Sequence, residues 1–540
     1  MQLLRTLQGG RHLFLAALVL VGISQAAVVM ARAVNSAVSE ASGDLTQVVV
    51  TRKVDLSRTL VREKVDTELR NTGQAPVQHY YWLMPNATAA QVGLVYANDV
   101  ATGEALLVTP LPDVVRDDAT AETYAVFDIE LLHPLAPGQS TKLNVLVAHT
   151  AALSPLPRAL PQFGQQYLVY SGDAYLPSLY PSKRQTTKIT LPSGKTESFS
   201  DQPTPVAKSG RTITYGPYRD LPAFARAPLR VHYPCDLIPL VIPTAERHVE
   251  ISHWAGHASV DEHAVVKHNG AVLKGHFQQV LQLIPNTPVG IVINNFALEL
   301  PVTAHSVYFK DEVGNVSTTH LRYDRPRAAV LEFMSRYQLA GGWIYNWNHG
   351  YKQPLTDLLR YDPSTERYNL RVTLPSYFPD APVEDAYLEV VLPEGAQDVA
   401  IRTAATLDDV TEGTFYSYMD SVGRPTVRIH RRLVVPELDQ FPIIVSYRFN
   451  PLYLLLKPFV LAGALLAFFG LASAVSRMNF QLLPHHGSHA TSVPVKDTNE
   501  PAVSSTPGLS KKVAAAPSTP VPTRKAGVPE SGKKKRRGKN

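Results

Sequence analysis

The chain has 540 residues, with 52 Lys and Arg against 46 Asp and Glu, and Cys235 is its single cysteine. One cysteine excludes an intrachain disulfide framework, so the folded part must be stabilised by burial, and we expect Cys235 to be buried and unreactive. An apolar content of 45% is ample for large cores, while 43 prolines and 31 glycines indicate short elements joined by turns.

The N-terminus has the layout of a secretory signal. Arg5 and Arg11 precede an apolar run at residues 13–21, and small-residue cleavage sites follow between residues 26 and 33. This order predicts a cleavable signal peptide over residues 1–33. An uncleaved N-terminal anchor is the alternative.

From residue 34 to residue 450, apolar and polar residues alternate with period 2 and long amphipathic helical patterns are scarce. Strands bounded by turn residues are predicted at 47–51, 77–84, 124–132, 142–148, 188–191, 229–231, 249–253, 264–268, 302–309, 370–374, 387–392, 426–429 and 443–449. Short, evenly spaced strands predict a mainly β fold. We expect two tandem β-sandwich-like luminal domains, 34–245 and 246–450.

A weak internal repeat supports that division. The run ITLPSG at 189–194 resembles VVLPEG at 390–395. The turn at 70–73 (RNTG) also falls early in the first half, as the turn at 268–270 (HNG) does in the second. We therefore expect the two domains to meet near residues 239–247.

Candidate catalytic groups fail on geometry. His253 and His257 have the spacing of a metal pair, but the surrounding pattern predicts a strand, in which i and i+4 lie about 13 Å apart. One zinc ion cannot span that distance. We interpret these two histidines, with the nearby His263 and His268, as ordinary surface residues.

Other catalytic signatures are missing from the sequence. The adjacent acids Asp117-Asp118 and Asp408-Asp409 point apart and are interpreted as solvated loops. The chain has no D-x-D, no G-x-S-x-G and no phosphate-binding glycine loop. We predict no catalytic residue, no metal site and no cofactor.

Two sequons provide candidate N-glycosylation acceptors. They are Asn86, in Asn86-Ala87-Thr88, and Asn315, in Asn315-Val316-Ser317. Neither has proline at its middle position, and both are predicted in exposed turns, so both are expected to be able to accept a glycan.

The C-terminal part predicts one membrane crossing. Residues 458–475 are uncharged and apolar, which is long enough to cross a bilayer core of about 30 Å, and we predict a transmembrane helix over 452–476. Residues 478–540 hold eleven Lys and Arg against three acids, a net charge of +8, so the positive-inside rule predicts a cytosolic tail. The tail, 477–540, is rich in Pro, Ser, Thr, Ala and Lys, and we expect it to be disordered. Its basic end suits anionic lipid or ribosomal RNA, and a merely solvated tail is the alternative.

Seven short runs carry a family resemblance. They are YGPYRD at 215–220, SHW at 252–254, KHNGAVLKG at 267–275, YFKDEVGNVSTTH at 308–320, GGW at 341–343, LPEG at 392–395 and GRP at 423–425. Their order and the single predicted span resemble the ribophorin I family, the large single-pass subunit of the eukaryotic oligosaccharyltransferase. The matching runs cover roughly residues 170–450, and the tail departs from the family pattern.

The resemblance implies a non-catalytic role in protein N-glycosylation at the endoplasmic reticulum membrane. The complex transfers a preassembled oligosaccharide from dolichyl diphosphate to Asn in Asn-x-Ser/Thr, and the resemblance implies that a multi-pass subunit performs the catalysis. Implied partners are the other subunits and nascent polypeptides, with the translocon and ribosome as further candidates and no DNA. We expect this chain to support complex assembly and acceptor presentation.

One surface hypothesis concerns aromatic residues in a predicted loop. Trp343, Tyr345, Trp347 and Tyr351 are candidates for contact with nascent chains, and burial in the core is the alternative. A type I receptor or adhesion protein with β-sandwich ectodomains is the competing function, although such ectodomains usually carry disulfides. A stand-alone membrane-bound hydrolase is a third reading, which no residue supports.

Overall fold

The structure is a computed structural model that describes residues 44–117, 121–282, 291–323 and 328–478. The predicted signal peptide and the tail after Met478 lie outside the described residues. One compact unit extends to Phe469, and a second begins at Gly470.

The first half of the larger unit is built from strands and one short helix, α1 (Asn86–Ala89). The strands are β1 (Leu45–Asp55), β2 (Val61–Asn71), β3 (Val77–Pro85), β4 (Val92–Asp99), β5 (Ala105–Arg116), β6 (Thr123–Leu135), β7 (Ser140–His149), β8 (Leu153–Pro155), β9 (Ala159–Leu160), β10 (Tyr167–Asp173), β11 (Ser182–Thr190), β12 (Ser198–Phe199), β13 (Val206–Ser209), β14 (Thr212–Leu221) and β15 (Pro228–Pro234).

The second half is built in the same way, with short helices α2 (Gln279–Gln282) and α3 (Leu355–Leu358). Its strands are β16 (Leu240–Ser252), β17 (His257–His268), β18 (Val272–Leu273), β19 (Val292–Pro301), β20 (His305–Asp311), β21 (Gly314–Asn315), β22 (His320–Arg322), β23 (Ala328–Ala340), β24 (Ile344–Pro354), β25 (Leu359–Asp362), β26 (Arg367–Val372), β27 (Val383–Val391), β28 (Gln397–Arg402), β29 (Asp409–Phe415), β30 (Arg424–Val434) and β31 (Ile443–Arg448). Two 3-10 turns, Pro436–Gln440 and Pro451–Leu455, precede the long helix α4 (Leu456–Arg477).

The mainly β prediction is confirmed, because every predicted strand coincides with an observed one. The exception in detail is the start of 302–309, where residues 302–304 form a turn before β20. Alternation explains the strands: β17 buries every second residue from Ala258 to His268 against the core and turns the others outward.

The two halves share one sheet topology. The eight-stranded sheet of the second half has the order β21-β20-β24-β17-β16-β27-β30-β29. The ten-stranded sheet of the first half contains the equivalent series β5-β4-β7-β2-β1-β11-β14-β13 and continues with β6 and β3. Each series follows the same chain order, and each has one parallel pair at the same place, β1 with β11 and β16 with β27.

The weak sequence repeat falls at equivalent points of this topology. The ITLPSG and VVLPEG runs begin in the last residues of β11 and β27, and the turns at 70–73 and 268–270 follow β2 and β17. We propose that the halves are tandem duplicated domains that meet between β15 and β16.

Smaller sheets cover the large ones and close the cores. In the first half, Val54 and Ile189 of the ten-stranded sheet share a core with Tyr170 and Val231 of the four-stranded sheet β12-β15-β10-β8. In the second half, the sheets β19-β23-β22 and β25-β26-β31-β28 enclose one large core with the eight-stranded sheet.

Polar contacts hold the two halves together within the larger unit. Asp380 of the second half binds Arg58 at 2.9 Å and Arg62 at 3.0 Å. Arg431 donates to the Gly93 carbonyl at 3.0 Å, and β18 pairs in parallel with β9. The halves are therefore joined by several separate contacts.

The apolar helix predicted at 452–476 is observed as α4 with its preceding 3-10 turn. Among the described residues this is one helix, Pro451–Arg477, that is long and apolar enough to cross a membrane. None of the residues of α4 is buried, although the helix is lined with Leu and Phe. An unburied apolar helix of this length fits a membrane span.

Candidate functional site: a free sheet edge beside the apolar helix

The last strand of the eight-stranded sheet is unusually open. In the described part of the chain, β29 pairs only with β30, and all seven of its residues are exposed. The outer edge of such a strand presents backbone N–H and C=O groups that another extended chain can pair with. β29 contains no proline, so nothing in its sequence removes a backbone donor from that edge.

The loop that follows β29 is fixed by a buried carboxylate. Glu394 Oε1 accepts hydrogen bonds from the backbone N–H groups of Ser421, at 2.6 Å, and Val422, at 2.8 Å. Asp420 Oδ2 accepts from the N–H of Ser417 at 2.6 Å. These bonds hold residues 416–423, which we call the aromatic loop because it carries Tyr416 and Tyr418.

The aromatic loop lies against the start of the apolar helix. The Lys457 ammonium lies 2.8 Å from Asp420 Oδ1, and Asn450 caps the preceding 3-10 turn by accepting from the N–H of Leu452 at 3.0 Å. The Tyr453 ring covers Gly395, where a Cβ would lie 2.4 Å from the ring and where φ is +83°. Only glycine fits that position without strain. The C-terminal end of β29 is thereby held next to the first turn of α4.

A pocket of about 440 Å³ opens between the loop, the helix start and the turn from β16 to β17. Its walls are largely apolar and aromatic, and its lining residues include His253, Trp254, Met419, Phe449, Tyr453 and Leu461. Arg424 lies at the same pocket and donates to the Ile251 carbonyl at 2.8 Å, and its guanidinium is also paired with Glu250. The pocket is therefore apolar, and the arginine at it has its charge balanced by an ion pair.

The histidine interpretation is wrong for two of the four residues. His253 lies in the turn between β16 and β17 rather than in a strand, and it is partly buried: Nε2 lies 2.9 Å from the Tyr447 hydroxyl, and its ring stacks on Phe449 at 4.6 Å. Burial lowers its pKa, which favours a neutral wall residue. His268 is fully buried at the end of β17, and burial lowers its pKa to about 4.

Metal ligation has no geometric support in the ranges 44–117, 121–282, 291–323 and 328–478. No group of three or more His, Cys, Asp or Glu side chains in them is arranged to hold an ion. His263 instead lies with Nδ1 2.6 Å from Asn348 Oδ1. Asp117 is buried rather than solvated, contrary to expectation, and Asp118 lies outside the described residues. Asp408 and Asp409 are exposed as expected, but Asp409 is the first residue of β29 rather than part of a loop.

A buried ionic cluster occurs in the first half. Arg52 on β1 donates from Nε to Glu63 Oε1 at 2.7 Å, and His149 on β7 lies 3.3 Å from Glu63 Oε2. Burial alone would raise the pKa of Glu63, but the charges and hydrogen bonds of Arg52 and His149 together outweigh it and lower that pKa to about 2.

The second half has the same residue types on the equivalent strands. Arg247 on β16 lies 3.1 Å from Glu262 on β17, and His349 on β24 lies 4.0 Å from Glu262. Burial opposes ionisation of Glu262 too, and Arg247 lowers its pKa. Because both clusters are buried under their sheets, we assign them to stability rather than to chemistry.

The proposed aromatic contact surface is wrong for most of its members. Tyr345, Trp347 and Tyr351 are buried in the core on β24, and Trp343 is half-buried against Phe277. Tyr345, Trp347 and Tyr351 lie on a strand rather than in a loop, so the core alternative holds for these three, whereas Trp343 lies just before the strand. Cys235 is buried as predicted, and burial raises the pKa of its thiol.

The two sequons lie at the surface. Asn86 begins α1 directly after β3, and Asn315 ends the short strand β21. Both residues are exposed. Their glycosylation stays a prediction.

Sequence reasoning missed β29 and the aromatic loop. The available signal was the cluster Phe415-Tyr416-Ser417-Tyr418, three aromatic residues in four positions shortly before the apolar run. That this cluster lies beside the apolar helix could not be predicted, because it depends on the ion pair between Lys457 and Asp420.

Comparison with known proteins identifies close relatives in sequence. Residues 45–476 match the family model described as Ribophorin I. The chain is 34% identical over 426 residues to dolichyl-diphosphooligosaccharide–protein glycosyltransferase subunit 1B of Arabidopsis thaliana, covering 78% of this chain and 90% of the relative. It is 33% identical over 435 residues to subunit 1B of Oryza sativa subsp. japonica, covering 80% and 91%.

More distant matches were also found. Subunit 1 of Caenorhabditis elegans is 28% identical over 454 residues, covering 84% of this chain and 74% of the relative. An M1 zinc metallopeptidase from Deinococcus radiodurans aligns over 44% of this chain and 50% of its own, at 16% identity and a TM-score of 0.22. A TM-score that low supports no argument about fold or function.

Proposed function

The chain belongs to the ribophorin I family, and from that premise we propose that it presents acceptor polypeptides as a non-catalytic subunit of the oligosaccharyltransferase. Its relatives are named as subunits of the glycosyltransferase that acts from dolichyl-diphosphooligosaccharide to protein. The chain is accordingly a subunit of that complex in protein N-glycosylation.

Its place in the cell follows from the same premise. We propose a single-pass type I protein of the endoplasmic reticulum membrane, with residues 34–450 in the lumen and 477–540 in the cytosol. The apolar helix Pro451–Arg477 and the net charge of +8 after it support this orientation. Protease protection of the large N-terminal part in sealed microsomes is expected, and its digestion from the cytosolic side would contradict the orientation.

The free edge of β29 carries the proposal for acceptor presentation. A strand of seven residues spans about 23 Å, which is enough for a three-residue sequon and its neighbours. Strand addition binds an extended chain mainly through its backbone, so it tolerates many acceptor sequences. Because the C-terminal end of β29 lies beside the start of α4, the edge is close to where a chain leaves the membrane.

Proline substitutions test this edge. In an antiparallel pair, successive N–H groups point alternately toward the partner strand and away from it. Of Thr411→Pro and Glu412→Pro, one therefore breaks a bond to β30 and the other removes only an outward donor. The unfolding temperature distinguishes the two variants, since only the variant that breaks a bond to β30 is expected to lower it.

The readout is sequon occupancy in cells whose own copy of the subunit has been replaced by the variant. The stable variant should reduce glycosylation of poorly used sequons while efficient sequons stay filled, as measured by mass spectrometry of a reporter glycoprotein. Wild-type occupancy at all sequons, with the variant stably assembled, would refute presentation at β29.

Catalysis is assigned to another subunit. We expect the purified chain, given dolichyl-diphosphate oligosaccharide and an Asn-x-Thr peptide, to transfer nothing, whereas the assembled complex transfers the glycan. Partner subunits, the translocon and the ribosome should co-purify in mild detergent. Turnover by the isolated polypeptide would overturn the non-catalytic assignment.

A further inference from the structure

We propose that Trp254, Tyr416 and Tyr418 form an interfacial anchor that inserts into the phospholipid headgroup layer beside α4. The anchor concerns how the β-rich part sits on the bilayer, and it rests on α4 spanning the membrane rather than on acceptor presentation. Its occupant is the lipid surface itself.

The level of the membrane surface is set by the start of the apolar helix. α4 begins at Leu456, and Lys457 is paired with Asp420 of the aromatic loop at 2.8 Å. Lys457, Pro458 and Leu461 line the same pocket as Trp254 and Met419. The loop and the turn that carries Trp254 are therefore at the depth where hydrocarbon gives way to headgroups.

Large aromatic side chains are exposed at this depth. The exposed fractions are 68% for Trp254, 66% for Tyr416 and 88% for Tyr418, and Val422 beside them is 58% exposed. By contrast, Trp82 and Trp347 are nearly fully buried. An exposed cluster of this kind marks an interaction surface.

The chemistry of these side chains selects the headgroup region. Tyr and Trp have an apolar ring and a polar tip, and they are enriched where membranes meet water. The cluster is continuous with the apolar surface of α4, where Phe459 and Leu461 are also exposed. A lipid surface satisfies both parts together.

The charges nearby do not call for an anionic lipid. Arg424 is paired with Glu250, and Lys457 is paired with Asp420. Insertion should then depend on the interface rather than on headgroup charge. We expect equal anchoring in phosphatidylcholine and in phosphatidylcholine mixed with phosphatidylserine.

Tryptophan quenching tests the anchor in the full-length chain reconstituted in nanodiscs. The probe is phosphatidylcholine brominated on acyl carbons 6 and 7, compared with the unbrominated lipid. Brominated lipid should quench part of the wild-type emission, and that quenching should be lost in Trp254→Phe. In the Trp254→Phe background, Tyr418→Trp should restore it.

A matched control uses the opposite end of the same sheet. Ile344 is 55% exposed on β24 and pairs with Lys267, whereas His257 pairs with Pro354 at the end near Trp254. Ten residues of strand separate these ends by about 33 Å. Ile344→Trp in the Trp254→Phe background should not be quenched.

Two quenching results would overturn the proposal. One is wild-type quenching no greater than that of Trp254→Phe, and the other is Ile344→Trp quenched as strongly as Tyr418→Trp. A photo-crosslinking residue at position 418 in the assembled complex should label lipid. A protein adduct instead would assign the surface to a partner subunit and also overturn the anchor.

Discussion

The two halves of the larger unit share one eight-strand topology but differ in their edge strands. In the first half the strand at the equivalent edge, β13, has four residues and is preceded by Pro203 and Pro205. In the second half that strand is β29, which has seven exposed residues and no proline. Each of these strands pairs with one neighbour in its sheet. Because short edges and nearby prolines hinder pairing with other chains, we call the β13 edge closed and the β29 edge open.

At the opposite edge, the first-half sheet is the longer of the two. Beyond β5, the first-half sheet continues into β6 and β3, whereas the second-half sheet ends at the two-residue strand β21. The shared part is the interior, where each half keeps a buried Arg–Glu–His cluster. The proposed duplication would thus have preserved the interior and changed the edges.

The largest expected effect comes from removing the buried glutamate in either half, which tests whether the two interior clusters are equivalent. Glu63→Ala or Glu262→Ala leaves Arg52 or Arg247 without its buried carboxylate partner, and we expect each change to lower the free energy of unfolding by about 3–5 kcal/mol. Denaturant unfolding of the full chain measures this loss.

The control for this experiment is Arg448→Ala, which removes an exposed pair with Asp398 and should cost about 0–1 kcal/mol. Similar losses for the two glutamate variants support equivalent clusters. A loss near the control value in one half would show that the halves do not share this device.

The next largest effect is the loss of folding stability at low pH. The folded-state pKa of Glu63 is about 2, below its ordinary value of 4.5, so its contribution to stability is present above the ordinary pKa and is lost as the pH falls toward 2. The loss should be on the order of 3 kcal/mol.

Unfolding measured between pH 6 and pH 2 checks this, with Glu63→Gln as the comparison. The variant is less stable at pH 6 and should show a shallower decline with acid. Parallel curves for wild type and variant would mean that Glu63 does not carry the dependence.

The smallest effect sharpens the contrast between edges. Proline at the closed edge, as in Ala207→Pro or Lys208→Pro on β13, should leave sequon occupancy unchanged, whereas the stable β29 proline variant lowers it for poor sequons only. Mass spectrometry of the same reporter glycoprotein gives both values. Equal losses from β13 and β29 would remove the distinction between the edges.

Some strands lack a clear apolar alternation because polar residues occupy buried positions in them. The sequence does not predict β2, because its core-facing positions include Glu63, Thr67 and Asn71 and the apolar alternation is therefore broken. The partners that make those residues tolerable, such as Arg52 and His149, lie on other strands. The sequence predicts an aromatic loop in place of β24 for a similar reason, since His349 and Gly350 interrupt the alternation of its Tyr and Trp with polar residues.

The sequence by itself determined the strand-rich class, the apolar helix, the faint repeat and the family resemblance. Each of these follows from local periodicity, from uninterrupted apolar length or from short runs that resemble the family, and none of these signals requires knowledge of distant contacts. Only the tertiary structure decided which aromatics are buried, that His268 lies in a core, that β29 has a free edge and that the aromatic loop meets Lys457. Those outcomes depend on which strands become neighbours, and pairing between residues tens to hundreds of positions apart leaves no local pattern to read.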